Sequence, residues 1–268
     1  MLTAISRRSL STMKELVKTR LDNGIFIITL NSPERNNCVG HPTAKALVAA
    51  LDKFESDPEA KVAVLHGEGK NFCCGYDLKE VSQGDFRDID AEFLQKYRYL
   101  GPTAMQLKKP LIAAVEGYAV AGGIEMSLLA DIRVASKSAK FGVFCRRVGV
   151  PLIDGGTVRL PKVVGLGRAL DIILTGREVD ANEAYQIGLA NRVVDEGKAL
   201  EEAINVGRLI ASHPNSCMLV DRTSVFNSLS ASSIKEALDF EYREGQSVLA
   251  ESIKGARRFM ERKRPSKL

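Results

Sequence analysis

The sequence predicts an α/β chain in which short buried strands alternate with helices up to about residue 195 and only helices follow. Apolar runs of strand length, such as Ile25–Leu30, Val62–Leu65 and Leu111–Val115, recur between segments whose apolar residues have helical spacing. Glycine turns join run to helix, most plainly at Gly122-Gly123 and Gly155-Gly156. Beyond Glu196 the strand signals stop.

Leu16–Leu21 and Ile25–Leu30 flank Asn23-Gly24, a pair suited to a tight turn, and so predict a hairpin. After the polar loop 31–40, Ala46, Leu47, Ala50, Leu51 and Phe54 mark a helix, and Val62–Leu65 a buried strand. Gly67–Asp77 is a loop, a helical segment is expected to Leu107, and Pro110 restarts a strand over Leu111–Val115 that ends near Gly117. From Gly122-Gly123 a helix runs through Met126, Leu129 and Ala130 toward Asp131. Ile132–Ala135 and Phe141–Phe144 read as strands, Arg168–Leu174 and Ala181–Ile187 as helices, and Ala190–Val194 as a closing strand. Glu201–Ser212, Ser216–Leu229, Ile234–Leu249 and Ser252–Arg262 are helical, divided by Pro214 and serine-rich turns. The expected organisation is a leader or disordered segment at 1–12, a core at 13–195, and a helical region with a basic tail at 196–268.

A chain of 268 residues can bury an ample core without disulfides or metals, and 45% hydrophobic with 26% charged residues is the balance of a soluble globular protein. No run is long enough to cross a bilayer. The five cysteines lack metal-ligand spacing and read as reduced thiols, and His41, His66 and His213 are too scattered for a metal centre. The net charge of +5 is concentrated near the end, where Arg257, Arg258, Arg262, Lys263 and Arg264 are balanced by one acid, Glu261. With Phe259 the sole aromatic among them, this run reads as a solvated helix end rather than an RNA site.

Glu125 is the one acid in an otherwise apolar stretch. The first N–H groups of a helix opening at Gly122-Gly123 lack intrahelical partners and suit an oxyanion, and a carboxylate one turn in could exchange a proton with the molecule so held. A glycine-rich turn with a solvent-facing Glu is the simpler reading of this stretch taken alone.

The motifs together are more specific. Ser32–Asn36, Asn71-Phe72-Cys73-Cys74-Gly75-Tyr76-Asp77-Leu78, Lys109–Tyr118, Gly122-Gly123-Ile124-Glu125, Ala130–Arg133, Phe141-Gly142, Gly155-Gly156-Thr157 and Thr175-Gly176-Arg177 resemble, in order and spacing, the crotonase or enoyl-CoA hydratase/isomerase superfamily. The resemblance runs from about Val17 to Phe259. It implies a spiral of strand–strand–helix turns, a C-terminal helical region used in trimer assembly, and an acyl-CoA thioester substrate, with no cofactor beyond the CoA that the substrate carries.

By that resemblance the oxyanion hole falls on the backbone N–H groups of Tyr76 and Gly122, although the family usually has a small residue where Tyr76 stands. Tyr76, Asp77, Leu78, Lys79 and Gly122 would flank the substrate; for Asp77 a capping role and for Lys79 a solvated one are equally open. The family's hydratases place one catalytic Glu at Glu125 and a second where this chain has Cys145. An ordinary thiol titrates near ~8.5, so Cys145 reads as a packing residue rather than a replacement acid. Asp154 lies near the catalytic Asp of the family's dienoyl-CoA isomerases, and its other reading is a helix cap ahead of Gly155. Arg146 and Arg147 would hold either acid ionised or face solvent.

The leading expectation is therefore an enoyl-CoA hydratase-like enzyme using Glu125, with a double-bond isomerase using Glu125 and Asp154 as the alternative. A thioester hydrolase lacks an evident nucleophile. An RNA-binding or non-catalytic homologue is the reading from another class. The helical region has apolar positions, among them Ile204, Leu209, Ile210, Leu219, Val220, Leu238 and Phe240, and some of this surface is expected between subunits of a homotrimer or dimer of trimers. Ser266-Lys267-Leu268 is the tripeptide that the peroxisomal import receptor reads, which makes the peroxisome the expected location. Its rival is mitochondrial import through residues 1–12, which are acid-poor and contain Arg7 and Arg8.

Overall fold

A computed structural model of the chain describes residues 15–262. The candidate leader and Ser266-Lys267-Leu268 lie outside the described residues. Strands β1 (Val17–Asp22) and β2 (Ile25–Leu30) form the expected antiparallel hairpin, with Asp22 opposite Ile25 and positive φ at both Asn23 and Gly24. Helix α1 (His41–Ser56) leads to β3 (Val62–Gly67), which pairs parallel to β2. The expected helix to Leu107 is broken into α2 (Leu78–Gln83) and α3 (Ala91–Lys96), because Gly84 at φ +80° ends one and Asp90 caps the next. Arg98 and Gly101, both with positive φ, then turn the chain toward Pro102.

Strand β4 (Leu111–Val115) is followed by a strand the sequence did not announce, β5 (Tyr118–Val120), before α4 (Gly122–Ser127). Three residues are too few to show a period. Next come β6 (Ile132–Ser136) and β7 (Lys140–Gly142); Phe144, expected in a strand, instead opens a 3-10 turn over Phe144–Val148. Helices α5 (Gly156–Val164) and α6 (Leu166–Thr175) precede β8 (Glu178–Asp180), a second unannounced three-residue strand, then α7 (Ala181–Gln186) and β9 (Arg192–Val194). Helices α8 (Ala199–Ala211), α9 (Asn215–Ser228), α10 (Ile234–Ser247) and α11 (Leu249–Arg262) complete the described chain.

The first sheet has the order β1-β2-β3-β4-β6-β9 and the second β5-β7-β8. Successive turns of chain give a strand to the first sheet, then a strand or bridge to the second layer, then a helix. In the early turns that second contribution is only the isolated parallel bridges Val39–Tyr76 and Cys73–Ala119, and in later turns it is β5 and β7. Strand alternation divides the core. Ile25, Ile27, Val62, Val64 and Ile112 face Ala199, Ala203 and Val206 of α8, whereas Phe26, Ile28, Leu30, Leu65 and Leu111 face Leu47, Leu51 and Phe54 of α1. Helix α8 therefore packs on the sheet, although it lies past the expected boundary at residue 196. Its Ile204 and Ile210, partly buried, also pack against that cluster.

Candidate active site

The site forms where two turns of the spiral meet. Val39 N–H donates to Gly75 O (2.8 Å) and Asp77 N–H to Val39 O (3.0 Å), so the bridge uses the groups on either side of Tyr76 and leaves the Tyr76 N–H directed away from it. Gly75 has φ +95°, and a Cβ there would lie 2.8 Å from Gly122 N and 2.9 Å from Ala121 Cβ. Glycine at 75 thus lets the loop before α2 close upon the start of α4. Gly122 is the first residue of α4, where an N–H has no intrahelical acceptor. The preceding Ala121 sits at φ +53°, ψ −123°, a region costly for a residue with a side chain, of order 1–3 kcal/mol. Gly123 cannot carry a Cβ either, since it would overlap Cys73 O. The outcome is that Tyr76 and Gly122 line one cavity of about 610 Å³.

Glu125 lines the same cavity and is only 3% exposed. Its Oε1 accepts the N–H groups of Asp154 (3.0 Å) and Gly156 (2.9 Å), while Oε2 accepts no hydrogen bond among the described residues. Burial pushes the carboxyl up to about 7; the amide bond from Gly156 opposes that shift. One oxygen is thus fixed and the other is free for a proton, near the pH at which either protonation state is accessible.

Asp154 does not cap α5. The N-cap of α5 is Gly155, which provides no side-chain bond, and the Asp154 carboxylate turns the other way. Its Oδ1 accepts Leu100 N–H (2.9 Å) and Thr103 Oγ1–H (2.5 Å), and burial raises its pKa against those bonds. Asp154 lines the cavity beside Glu125. Arg159 ties the same segment down by donating to Asp154 O (3.3 Å) and Thr103 O (2.5 Å). Cys145, in the 3-10 turn, is 6% exposed and also lines the cavity, with its thiol pushed up by burial.

The remaining expected residues separate. Leu78 lines the cavity with 52% of its surface exposed. Asp77 does not line it: its carboxylate caps α2 by accepting Lys79 N–H (3.0 Å) and pairs with Arg35. The Lys79 side chain is exposed and outside the lining. Arg146 and Arg147 reach neither acid; they donate to Ile173 O and Gly176 O. Sequence reasoning missed Thr103, Arg159, Tyr99 and Glu80, which act through contacts far apart in the chain. Only the spacing of Tyr76 and Glu80, one helical turn, could have signalled a pair. Among the described residues no cluster of three His, Cys, Asp or Glu is disposed to hold a metal, and no helix is long and apolar enough to cross a membrane.

This arrangement resembles proteins already known. The family model for enoyl-CoA hydratase/isomerase matches residues 20–267. A probable enoyl-CoA hydratase of Rhizobium meliloti is 38% identical over 227 residues, covering 84% of this chain and 86% of that protein. The enoyl-CoA hydratase EchA19 of Mycobacterium tuberculosis is 39% identical over 199 residues, or 70% and 71% of the two chains. The crystal structure of enoyl-CoA hydratase EchA1 from Mycobacterium marinum superimposes with a TM-score of 0.86 at 30% identity, covering 94% of this chain and 98% of that one. With the family model spanning most of its length and relatives of this identity on either side of it, the chain belongs to the enoyl-CoA hydratase/isomerase family.

Proposed function

We propose that the protein hydrates 2-enoyl-CoA thioesters and that one carboxylate, Glu125, makes both proton transfers. The observation that carries this is Glu125 itself, buried in the cavity that Tyr76 and Gly122 line, with one oxygen anchored and the other free. The thioester carbonyl accepts from Tyr76 N–H and Gly122 N–H. Water held on Oε2 adds to C3 and gives its proton to the carboxylate, while the C2–C3 π electrons move onto the carbonyl oxygen as an enolate. Glu125 then returns the proton to C2 as the carbonyl re-forms. One H and one OH have been added, nothing has been oxidised, and no cofactor takes part. Each backbone donor to such an oxyanion is typically worth about 3 kcal/mol.

A specific observation favours a second reading. The position of the second hydratase carboxylate holds the Cys145 thiol, while Asp154 stands next to Glu125 in the same cavity. Two adjacent acids suit removal of a proton at one carbon and return at another, which is double-bond isomerisation. The test is turnover of 2-enoyl-CoA and 3-enoyl-CoA substrates of several chain lengths, with Cys145→Glu beside the wild type. Hydration by the wild type, raised in Cys145→Glu, is expected. Isomerisation without hydration in both proteins overturns the hydratase reading, and no turnover of either class overturns both.

Homotrimer assembly, or a dimer of trimers, belongs to the same proposal. It is supported by α9 and α10, which bury no residue of their own and expose Ile234 (81%) and Leu238 (57%).

A further inference from the structure

Tyr76 contributes a backbone N–H to the site, yet its side chain is held by a separate set of bonds. Its hydroxyl donates to Glu80 Oε2 (2.7 Å), one turn along α2. The same oxygen accepts His41 N–H (3.1 Å) from the first turn of α1, and Gly40 leaves room for the Glu80 carboxylate because a Cβ there would overlap it. The far end of the ring is thus tied to two helices. Its edge meets Tyr99 at a centroid distance of 5.9 Å and an interplanar angle of 85°. Tyr76, Tyr99, Leu100 and Asp154 all line the cavity, and Leu100 and Asp154 are buried.

The cavity is open where Leu78, Val148 and Ile153 line it, each about half exposed, at 52%, 59% and 47%. A thioester carbonyl divides its substrate into two arms. The CoA arm is too large for the cavity and must leave by the exposed rim, so the acyl arm takes the part lined by buried Leu100 and Asp154, which Tyr76 borders. The ring that meets it there belongs to the residue whose N–H holds the carbonyl, which sets the distance between reacting centre and wall at one side chain. We propose that the tethered Tyr76 ring is the specificity-determining wall of the acyl pocket and restricts the enzyme to short acyl chains. This rests on the acyl-CoA reading above and deepens it.

Any residue but proline at 76 keeps the backbone N–H, so side-chain substitution separates chain-length choice from oxyanion stabilisation. The experiment compares kcat/KM for crotonyl-, hexenoyl- and decenoyl-CoA in wild type, Tyr76→Ala, Tyr76→Leu and Tyr76→Phe, with calorimetric Kd values for the matching saturated acyl-CoAs. Wild type is expected to prefer the crotonyl substrate. A single methylene pressed against a pocket wall changes discrimination by about 10–200-fold, so the decenoyl-to-crotonyl ratio should rise at least that much in Tyr76→Ala. Tyr76→Leu, which removes less volume, reports the same shift should the alanine variant not fold, and Tyr76→Phe, which keeps the ring and frees it from Glu80, should shift less. Unchanged ratios in both the Ala and Leu variants overturn the inference, as does a wild type that accepts decenoyl-CoA as well as crotonyl-CoA. If no enoyl-CoA is turned over, the hydratase reading fails separately, and the Kd series still decides whether Tyr76 limits chain length.

Discussion

Glu125 is a carboxyl placed where its charge is disfavoured, and this has consequences for both rate and stability. Burial raises its pKa from the ordinary 4.5 to about 7, so the folded protein binds this proton more tightly than the unfolded chain. Between those two values the native state carries the extra proton, and stability falls as pH rises through the window. Asp154, raised in the same direction, adds to the slope. Glu125→Gln should therefore flatten the pH dependence of denaturant midpoints over this range and be more stable than wild type above pH 7. An unchanged profile would mean that the carboxyl is not desolvated. In the proposed hydration the sign is opposite, because the base that would take a proton from water is the carboxylate: kcat/KM should climb with pH through about 7 and then level.

The elements that place Glu125 depend on glycines at two close approaches. Gly75→Ala would press a Cβ against Gly122 N and Ala121 Cβ from a backbone at φ +95°, and so would separate the two donors of the proposed oxyanion hole. Strain of this kind costs about 1–3 kcal/mol. The expected result is a lower melting temperature together with a loss of kcat larger than any change in KM; wild-type kcat with only the melting shift would separate Gly75 from the oxyanion hole. Local signals made much of this legible. Asn23-Gly24 announced the hairpin, apolar spacing announced α1, and Gly122-Gly123 announced α4. Strands β5 and β8 were not legible, since three residues carry no period and their pairing comes from β7. Nor was the role of Asp154. Its position left a cap and a catalytic acid equally open, and its carboxylate is held by Leu100 and Thr103, more than fifty residues away in sequence.

For the whole molecule, the described helices fall into two kinds. Helix α8 is part of the core, whereas α9 to α11 reach the sheet region chiefly through Arg222, which binds Asp131 (3.0 Å) and Leu107 O (2.6 Å). Their exposed Leu229, Ile234, Leu238 and Ile253 leave apolar surface uncovered in a single chain, which supports burial between subunits. Light scattering at micromolar concentration should give the mass of three chains or six. A monomer would contradict the assembly, though not the chemistry within one cavity.

In the proposed reaction Glu125 delivers a water-derived proton to an enolate held by the Tyr76 and Gly122 amides. The most direct measurement is hydration of crotonyl-CoA in D2O by wild type and Glu125→Gln, with the product read by mass spectrometry and NMR. Wild type should give 3-hydroxybutyryl-CoA carrying one deuterium at C2, and Glu125→Gln should form it about 10²–10⁴-fold more slowly. Product formed at the wild-type rate by Glu125→Gln would contradict the account.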